Sequence, residues 1–390
     1  MIVLRLQADN ILNFKEFDVG FSYPKRISNS TIESEHLAGF PNFRYKKAVV
    51  FLGSNATGKT CLGKVISGFV QYLNSGHDDF ILRMAQKDAS FSLTFINESP
   101  ILYKVSTQIS GGSIKTQLYE YEIKAKDSFE TAESHLKLSN CENILAIQKR
   151  VGVLNCQFAY PEISPSLEIT DDNRNTFLIT LKCIIGTLDP TLRDVVISKE
   201  IDNSFIIKRG TDNIIIQEGR LLNQELLSSG TVEGIDVALF MASMLSTTRK
   251  FYYCDEHFSY IQSDIEKRLF SIMVGNLKEG EQLFFTTHNI EMLDLNVPKH
   301  TFAFLRRDCN GYPSVVFADS ILKRNTDSVK CAFENDVFYA TPDLSLLNEL
   351  EHSNRKTEYL VEGNCEKALI DAIKGDPALV TPGKVYHIKK

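Results

Sequence analysis

Residues 53–60 read Gly53-Ser54-Asn55-Ala56-Thr57-Gly58-Lys59-Thr60, a complete G-x-x-x-x-G-K-[ST] stretch. It follows the apolar run Ala48-Val49-Val50-Phe51-Leu52, which reads as a buried strand, and leads into an amphipathic helix expected over Cys61–Leu73. A loop so placed turns successive backbone N–H groups toward one point at a helix N-terminus, where partial positive charge favours phosphate. Gly53 and Gly58 allow backbone angles and a close approach that a Cβ would forbid. Lys59 is expected to reach the β- and γ-phosphates, and the Thr60 hydroxyl to hold Mg²⁺. An ordinary glycine turn before a helix would need no such strand before it, so the stretch predicts a nucleoside triphosphate site.

The chain has 390 residues, 43% hydrophobic and 24% charged, enough to bury a sizeable core in one large domain or two to three smaller ones. A formal charge of −6 gives no bulk attraction to nucleic acid or to anionic membrane. The eight cysteines are scattered, with no C-x-x-C pair, which argues against zinc and fits a reducing cytoplasm. No apolar run approaches the roughly 20 residues of a membrane span, and no signal peptide opens the chain, so a cytoplasmic location is expected.

Working outward, Met1–Leu6 and Phe14–Phe21 read as opening strands, separated from the loop strand by the mostly polar stretch Pro24–Pro41. Phe91–Phe95, Ile101–Ile109 and Thr116–Ile123 alternate with period two, the last two joined through Gly111-Gly112, and predict an antiparallel layer. A helix is expected over Thr176–Leu188, and a hairpin from Phe205–Lys208 and Asn213–Gln217. Beyond it, Val232–Leu245, Lys250–Cys254, Ser263–Leu277, Gln282–Thr286 and Thr301–Leu305 alternate helix with apolar strand, the pattern of a parallel α/β core.

Three further motifs fall on this core. Lys250–Glu256 is an apolar strand ending in paired carboxylates; downstream of a phosphate loop, Asp255 is expected to hold Mg²⁺ and Glu256 to act as general base on water. A surface turn can carry the same letters, and the loop upstream decides between the two. His288 follows the apolar strand Leu283-Phe284-Phe285 and is expected to sense the γ-phosphate, where a lone histidine would read as surface. Leu227-Ser228-Ser229-Gly230-Thr231 opens a helix and offers hydroxyls and free N–H groups, a second anion site beyond an ordinary serine cap.

The order of phosphate loop, LSSGT, Asp-Glu and His resembles the ABC-type ATPase head shared by transporters, SMC proteins and RecF-like proteins. LSSGT stands where that family has LSGGQ, with the second glycine's neighbour and the glutamine replaced, and Ser259 falls in the D-loop position. The resemblance implies an α/β fold, a parallel phosphate-loop core with an antiparallel β-rich lobe. It also implies ATP and Mg²⁺ as ligands, and a homodimer or higher oligomer in which Ser228, Ser229 and Gly230 act on the neighbour's nucleotide. For the Q-loop, Gln86, Gln148 and Gln157 stay open. The ATPase domain is expected over 1–350, with an inserted lobe at about 90–175, and a separate segment over 351–390.

Asn13-Phe14-Lys15-Glu16-Phe17 resembles the opening of RecF-like and OLD-type proteins, and the absence of long heptad arms and of a hook C-x-x-C speaks against SMC and its zinc-hook relatives. Thr357–Lys367 resembles the first strand and turn of a Toprim domain, with Glu362 in the acidic position and a helix expected over Glu366–Ile373; the Asp-x-Asp strand of that family does not follow before Lys390. These resemblances imply an ATPase that controls a fused or separate Toprim-type nuclease in anti-phage defence, with nuclease activity of this chain alone disfavoured. The competing expectation is a RecF/SMC-like DNA clamp in repair. Its candidate basic stretches are Arg44-Tyr45-Lys46-Lys47, Lys149-Arg150 and Lys323-Arg324.

Overall fold

A computed structural model of the chain describes residues 1–347 other than 28–29, 142, 161–170, 193, 202, 211, 218–219, 223–226, 247–250, 325, 343 and 346. The chain divides into two compact units, Met1–Thr341 and Pro342–Lys390. Lys250 and the whole Toprim-like stretch, Glu362 and the expected helix Glu366–Ile373 included, lie outside the described residues.

The elements of the first unit run β1 (Ile2–Ile11), β2 (Phe17–Gly20), β3 (His36–Leu37), β4 (Phe40–Arg44), β5 (Ala48–Leu52), α1 (Lys59–Ser75), α2 (Asp79–Met84), β6 (Ala85–Ile96), β7 (Ile101–Ser110) and β8 (Ser113–Glu122). They continue with α3 (Phe129–Ser134), β9 (Lys137–Leu138), α4 (Ile144–Val151), β10 (Cys156–Ala159), α5 (Asp171–Leu188), β11 (Asp194–Ile197), β12 (Ser204–Arg209), β13 (Asp212–Gln217) and β14 (Arg220–Leu221). The last are α6 (Ser229–Ser246), β15 (Phe251–Asp255), α7 (Ser263–Asn276), β16 (Gln282–Thr286), β17 (Phe302–Arg307), β18 (Pro313–Phe317), α8 (Ala318–Ile321) and α9 (Val329–Glu334).

Among the described residues four sheets form, the smallest being the pair β3-β4. The central one has the order β10-β15-β16-β5-β17-β18 and is parallel except for β18. Its inner strands β5, β15 and β16 are mostly apolar and buried along their length because both faces are covered, as parallel sheets require. Ala48, Val50 and Leu52 of β5 point into a core shared with α5, α6 and α7, while Val49 and Phe51 point into a second core shared with α1 and the antiparallel sheet. That second sheet has the order β2-β1-β6-β7-β8-β9. The third, β11-β12-β13-β14, packs its inward isoleucines, Ile207, Ile214 and Ile216, into the first core.

The antiparallel layer therefore differs in extent from the lobe expected at about 90–175. It starts at the N-terminus with β1 and β2, and Cys156–Ala159 within the expected range joins the parallel sheet beside β15 instead. Local alternation could mark these strands as strands, but only long-range pairing decides which sheet takes them.

One side chain joins the two large sheets. Gln282, at the start of β16 and fully buried, accepts from the Val3 N–H at 2.7 Å and donates to Val3 O at 3.1 Å and Lys46 O at 2.9 Å. Its amide completes backbone groups that the strand ladders leave over.

Candidate nucleotide site

Registers Thr286↔Asp255 and Thr286↔Phe51 bring the C-terminal ends of β5, β15 and β16 to one level. The loops leaving that edge carry Gly53–Thr60, Glu256 and His288, so segments far apart in the chain meet at the carboxyl end of a parallel sheet, where open α/β folds place ligands.

The phosphate loop is shaped by contacts that its glycines make possible. A Cβ on Gly53 would stand 2.3 Å from Leu305 O, and Gly58 has φ +105°, a conformation that side chains resist. Phe14, tilted against Phe17 with ring centroids 4.3 Å apart, and Pro313 both close on the position a Gly58 side chain would take. Within the loop, the Thr57 hydroxyl donates to Ser54 O at 2.8 Å. Arg307 Nη2 donates to Ala56 O at 2.9 Å from β17.

Lys59 is buried, with Nζ donating to Gly53 O at 2.9 Å and Ser54 O at 3.3 Å and lying 3.3 Å from Glu256 Oε1. Burial pushes its ammonium pKa down, partly offset by the neighbouring Glu256 and Asp255 carboxylates. Glu256 Oε1 also meets His288 Nε2 at 2.9 Å, and this bond, with Lys59, holds the Glu256 carboxyl below its ordinary range against the opposite pull of burial. Asp255 is 1% exposed; burial pushes its carboxyl up, opposed by hydrogen bonds from the hydroxyls of Thr286, at 2.7 Å, and of Thr60.

Glu256 has φ +46°, unusual for a residue with a Cβ, and such a conformation costs about 1–3 kcal/mol. It is held there because its N–H donates to Thr286 O at 3.2 Å and Thr286 Oγ1 at 3.0 Å. His288 is framed likewise. Buried Glu266 on α7 accepts from the Thr287 hydroxyl at 2.7 Å and from Asn289 Nδ2 at 2.6 Å, the residues on either side of the histidine.

Ser228 caps α6, with its hydroxyl accepting from Thr231 N at 3.3 Å and pairing with Thr231 Oγ1 at 2.8 Å. Ser229 and Gly230 form the first turn, beside the loop His257–Tyr260 that follows Glu256. The Ser259 hydroxyl donates to Glu256 O at 2.9 Å.

Thr286, Glu266, Glu233 and Arg307 join the site's framework without having been read from the sequence. Thr286 stands in the Thr286-Thr287-His288 stretch and carried a local signal. Glu266 and Arg307 carried none, because they reach the site only through folding. The three glutamines separate: Gln148 lies against Gly76 at the far end of α1, about 25 Å along that helix from Lys59. Gln86 donates to Leu12 O at 2.8 Å, and Gln157 sits mid-strand in β10 opposite Tyr252.

The stretch Arg44–Lys47 is not a basic surface patch. Lys46 is 4% exposed, 3.9 Å above the Phe317 ring and 3.5 Å from Asp319, while Lys47 Nζ donates to Glu33 O and Leu277 O, both at 2.9 Å. Their letters signal charge, but their positions flanking β5 put them under the neighbouring elements. Arg150 is paired with Glu120 at 2.6 Å, and Lys323 Nζ donates to Asp319 O at 3.0 Å.

Among the described residues no cluster of three His, Cys, Asp or Glu side chains forms a metal site. The buried Asp255–Thr60 pair instead matches the donor set of a cation shared with phosphate oxygens. No helix among the described residues is long and apolar enough to cross a membrane.

This architecture is the mixed α/β fold also seen in SMC head domains. The chain is similar to the SmcHead bound to the C-winged helix domain of ScpA, at 12% identity and TM-score 0.51, covering 83% of this chain and all of that one. It is also similar to the Smc head domain with an extended coiled coil bound to the C-terminal domain of ScpA derived from Pyrococcus furiosus, at 13% identity and TM-score 0.51, covering 87% of this chain and all of that one. The chain matches no family model and no curated protein. In this chain the described residues between β10 and α6 form α5 and the small sheet β11–β14.

Proposed function

We propose that this chain binds and hydrolyses ATP with Mg²⁺, and that two copies close on two nucleotides to do so. The observation that carries this reading is the convergence of Lys59, Glu256 and His288 on one point, with Glu256 Oε1 within 3.3 Å of both Lys59 Nζ and His288 Nε2.

The loop N–H groups of Gly53–Thr60 bind the phosphates, and Lys59 exchanges its contacts with Gly53 O and Glu256 for phosphate oxygens. Thr60 and Asp255 hold Mg²⁺, which supplies charge neutralisation at the transferring phosphoryl group. Glu256, kept ionised by its partners, orients water and accepts its proton. His288, held by Glu266 through its neighbours, bonds the γ-phosphate and reports its loss. Ser228, Ser229 and Gly230 face the triphosphate of the second copy.

The test is nucleotide binding by equilibrium dialysis with wild-type protein and Lys59→Ala. Loss of Mg-ATP binding in the variant supports the assignment; equal affinity overturns it.

We extend the reading to the OLD-like ATPases of anti-phage systems, in which the nucleotide state licenses a Toprim-type nuclease, fused or separate. What supports this, from the sequence, is the lack of long heptad arms between the phosphate loop and LSSGT, together with Glu362-Gly363. The DNA-clamp reading is weaker because Lys46 and Lys47 are spent inside the fold. Native mass spectrometry of Glu256→Gln isolated from its host separates them: a co-purifying nuclease supports the first, and an ATP-dependent dimer carrying only DNA supports the second.

A further inference from the structure

Between α6 and the loop His257–Tyr260 lies a cavity of about 350 Å³, lined by Leu227, Ser229, Val232, Glu233, Asp236, His257 and Tyr260. The loop is anchored in the core by Phe258, whose ring lies 5.2 Å from that of Phe285. His257 is 2% exposed, yet neither ring nitrogen has a hydrogen-bond partner. Among the described residues, one side chain ties the loop's backbone to the helix: Glu233 accepts from Ser259 N at 3.1 Å with one oxygen and from Tyr260 N at 2.8 Å with the other. One turn earlier on α6, Gly230 faces Tyr260 O so closely that a Cβ there would stand 2.8 Å from it. The same loop begins at Glu256, whose carbonyl accepts from the Ser259 hydroxyl.

A continuous path therefore runs from Ser229–Gly230 through Glu233 to Ser259 and Glu256. Resting on the two-copy nucleotide reading above, we propose that Glu233 is a positioning residue that couples the two nucleotides. When the triphosphate held by one copy engages Ser229–Gly230 of the other, the shift of α6 is passed through the Glu233 carboxylate to the loop of that same copy. It thereby sets the Glu256 that serves the other nucleotide. The cavity leaves the loop room to follow, and no ring hydrogen bond of His257 has to break for it to move. A carboxylate suits this task because its two oxygens can each accept one N–H, whereas an amide would set its NH₂ against one of the donors.

The experiment is steady-state ATP hydrolysis by Glu233→Ala, Glu233→Gln and Glu233→Asp as a function of ATP and protein concentration, with thermal unfolding on the same samples. The expected result for Ala and Gln is a kcat lower by about tenfold or more with KM within about twofold, and a Hill coefficient reduced to that of independent sites. Asp should restore part of both, and self-association with ATP in the Glu256→Gln background should persist. Wild-type kcat and cooperativity in Glu233→Ala overturn the proposal. So do a non-cooperative wild type, or a kcat loss that tracks melting temperature across all three variants. Lys59→Ala is the control that separates the two readings. If it leaves turnover unchanged, the nucleotide site itself fails. If turnover depends on Lys59 but not on Glu233, only the coupling fails.

Discussion

Glu256 Oε1 lies 2.9 Å from His288 Nε2, joining two loops that leave neighbouring parallel strands, and the same oxygen lies 3.3 Å from Lys59 Nζ. A triphosphate that draws Lys59 and His288 to its own oxygens releases this carboxylate toward water. The residues proposed to bind phosphate and the proposed general base thus share one set of contacts.

Replacing the carboxylate by an amide keeps the shape and removes the base. Glu256→Gln should bind ATP as the wild type does, hydrolyse it about 10²- to 10⁴-fold more slowly, and accumulate as an ATP-dependent oligomer. Sedimentation velocity and phosphate release on the same sample check this; normal turnover without a stabilised assembly would sink the assignment.

Glu266 is buried and serves two donors around His288. Glu266→Ala leaves the Thr287 hydroxyl and the Asn289 amide without it, and should lower stability by about 2–4 kcal/mol in urea unfolding. ATP turnover should fall more than ATP affinity does, because His288 loses its frame while the phosphate loop is untouched. An equal loss of affinity would show that Glu266 supports the whole pocket instead.

Burial pushes His257 down to about 4 from its ordinary 6.5. The unfolded chain takes up a proton near 6.5 and the folded chain only near 4, so stability falls as pH drops through that window and is flat above it. The difference corresponds to about 3 kcal/mol at the acid limit. His257→Leu should flatten the fall of unfolding free energy between pH 7 and 4 relative to wild type. Parallel pH profiles for the two chains would refute this.

Gln282 satisfies three backbone groups across two sheets. Gln282→Leu should cost about 2–4 kcal/mol, because buried N–H and C=O groups lose their partners. Hydrogen exchange should report it first at Val3, before α7 or α5. Uniform acceleration throughout would mean that the two sheets unfold together regardless of this link.

Much of the candidate site could be located in the sequence because the chemistry proposed for it demands particular residue types beside particular elements. Gly53–Thr60 could be placed because the loop must follow a strand and open a helix, and Asp255, Glu256 and His288 because each ends an apolar strand. Arg44–Lys47 misled for the converse reason. A run of basic letters states charge but not direction, and Lys46 and Lys47 turn inward to Asp319, Phe317 and main-chain oxygens.

By itself, then, the sequence determined the local chemistry: the loop, the strands that deliver the acids and the histidine, and the α/β class. These follow from short-range rules of backbone angle and hydrophobic period. Tertiary structure alone decided the rest. It brought Glu256 to both Lys59 and His288, assigned Cys156–Ala159 to the parallel sheet, and recruited Glu233, Glu266, Gln282 and Arg307 as supports. Those contacts join residues far apart in the chain. They depend on strand order and helix packing, which no local pattern encodes.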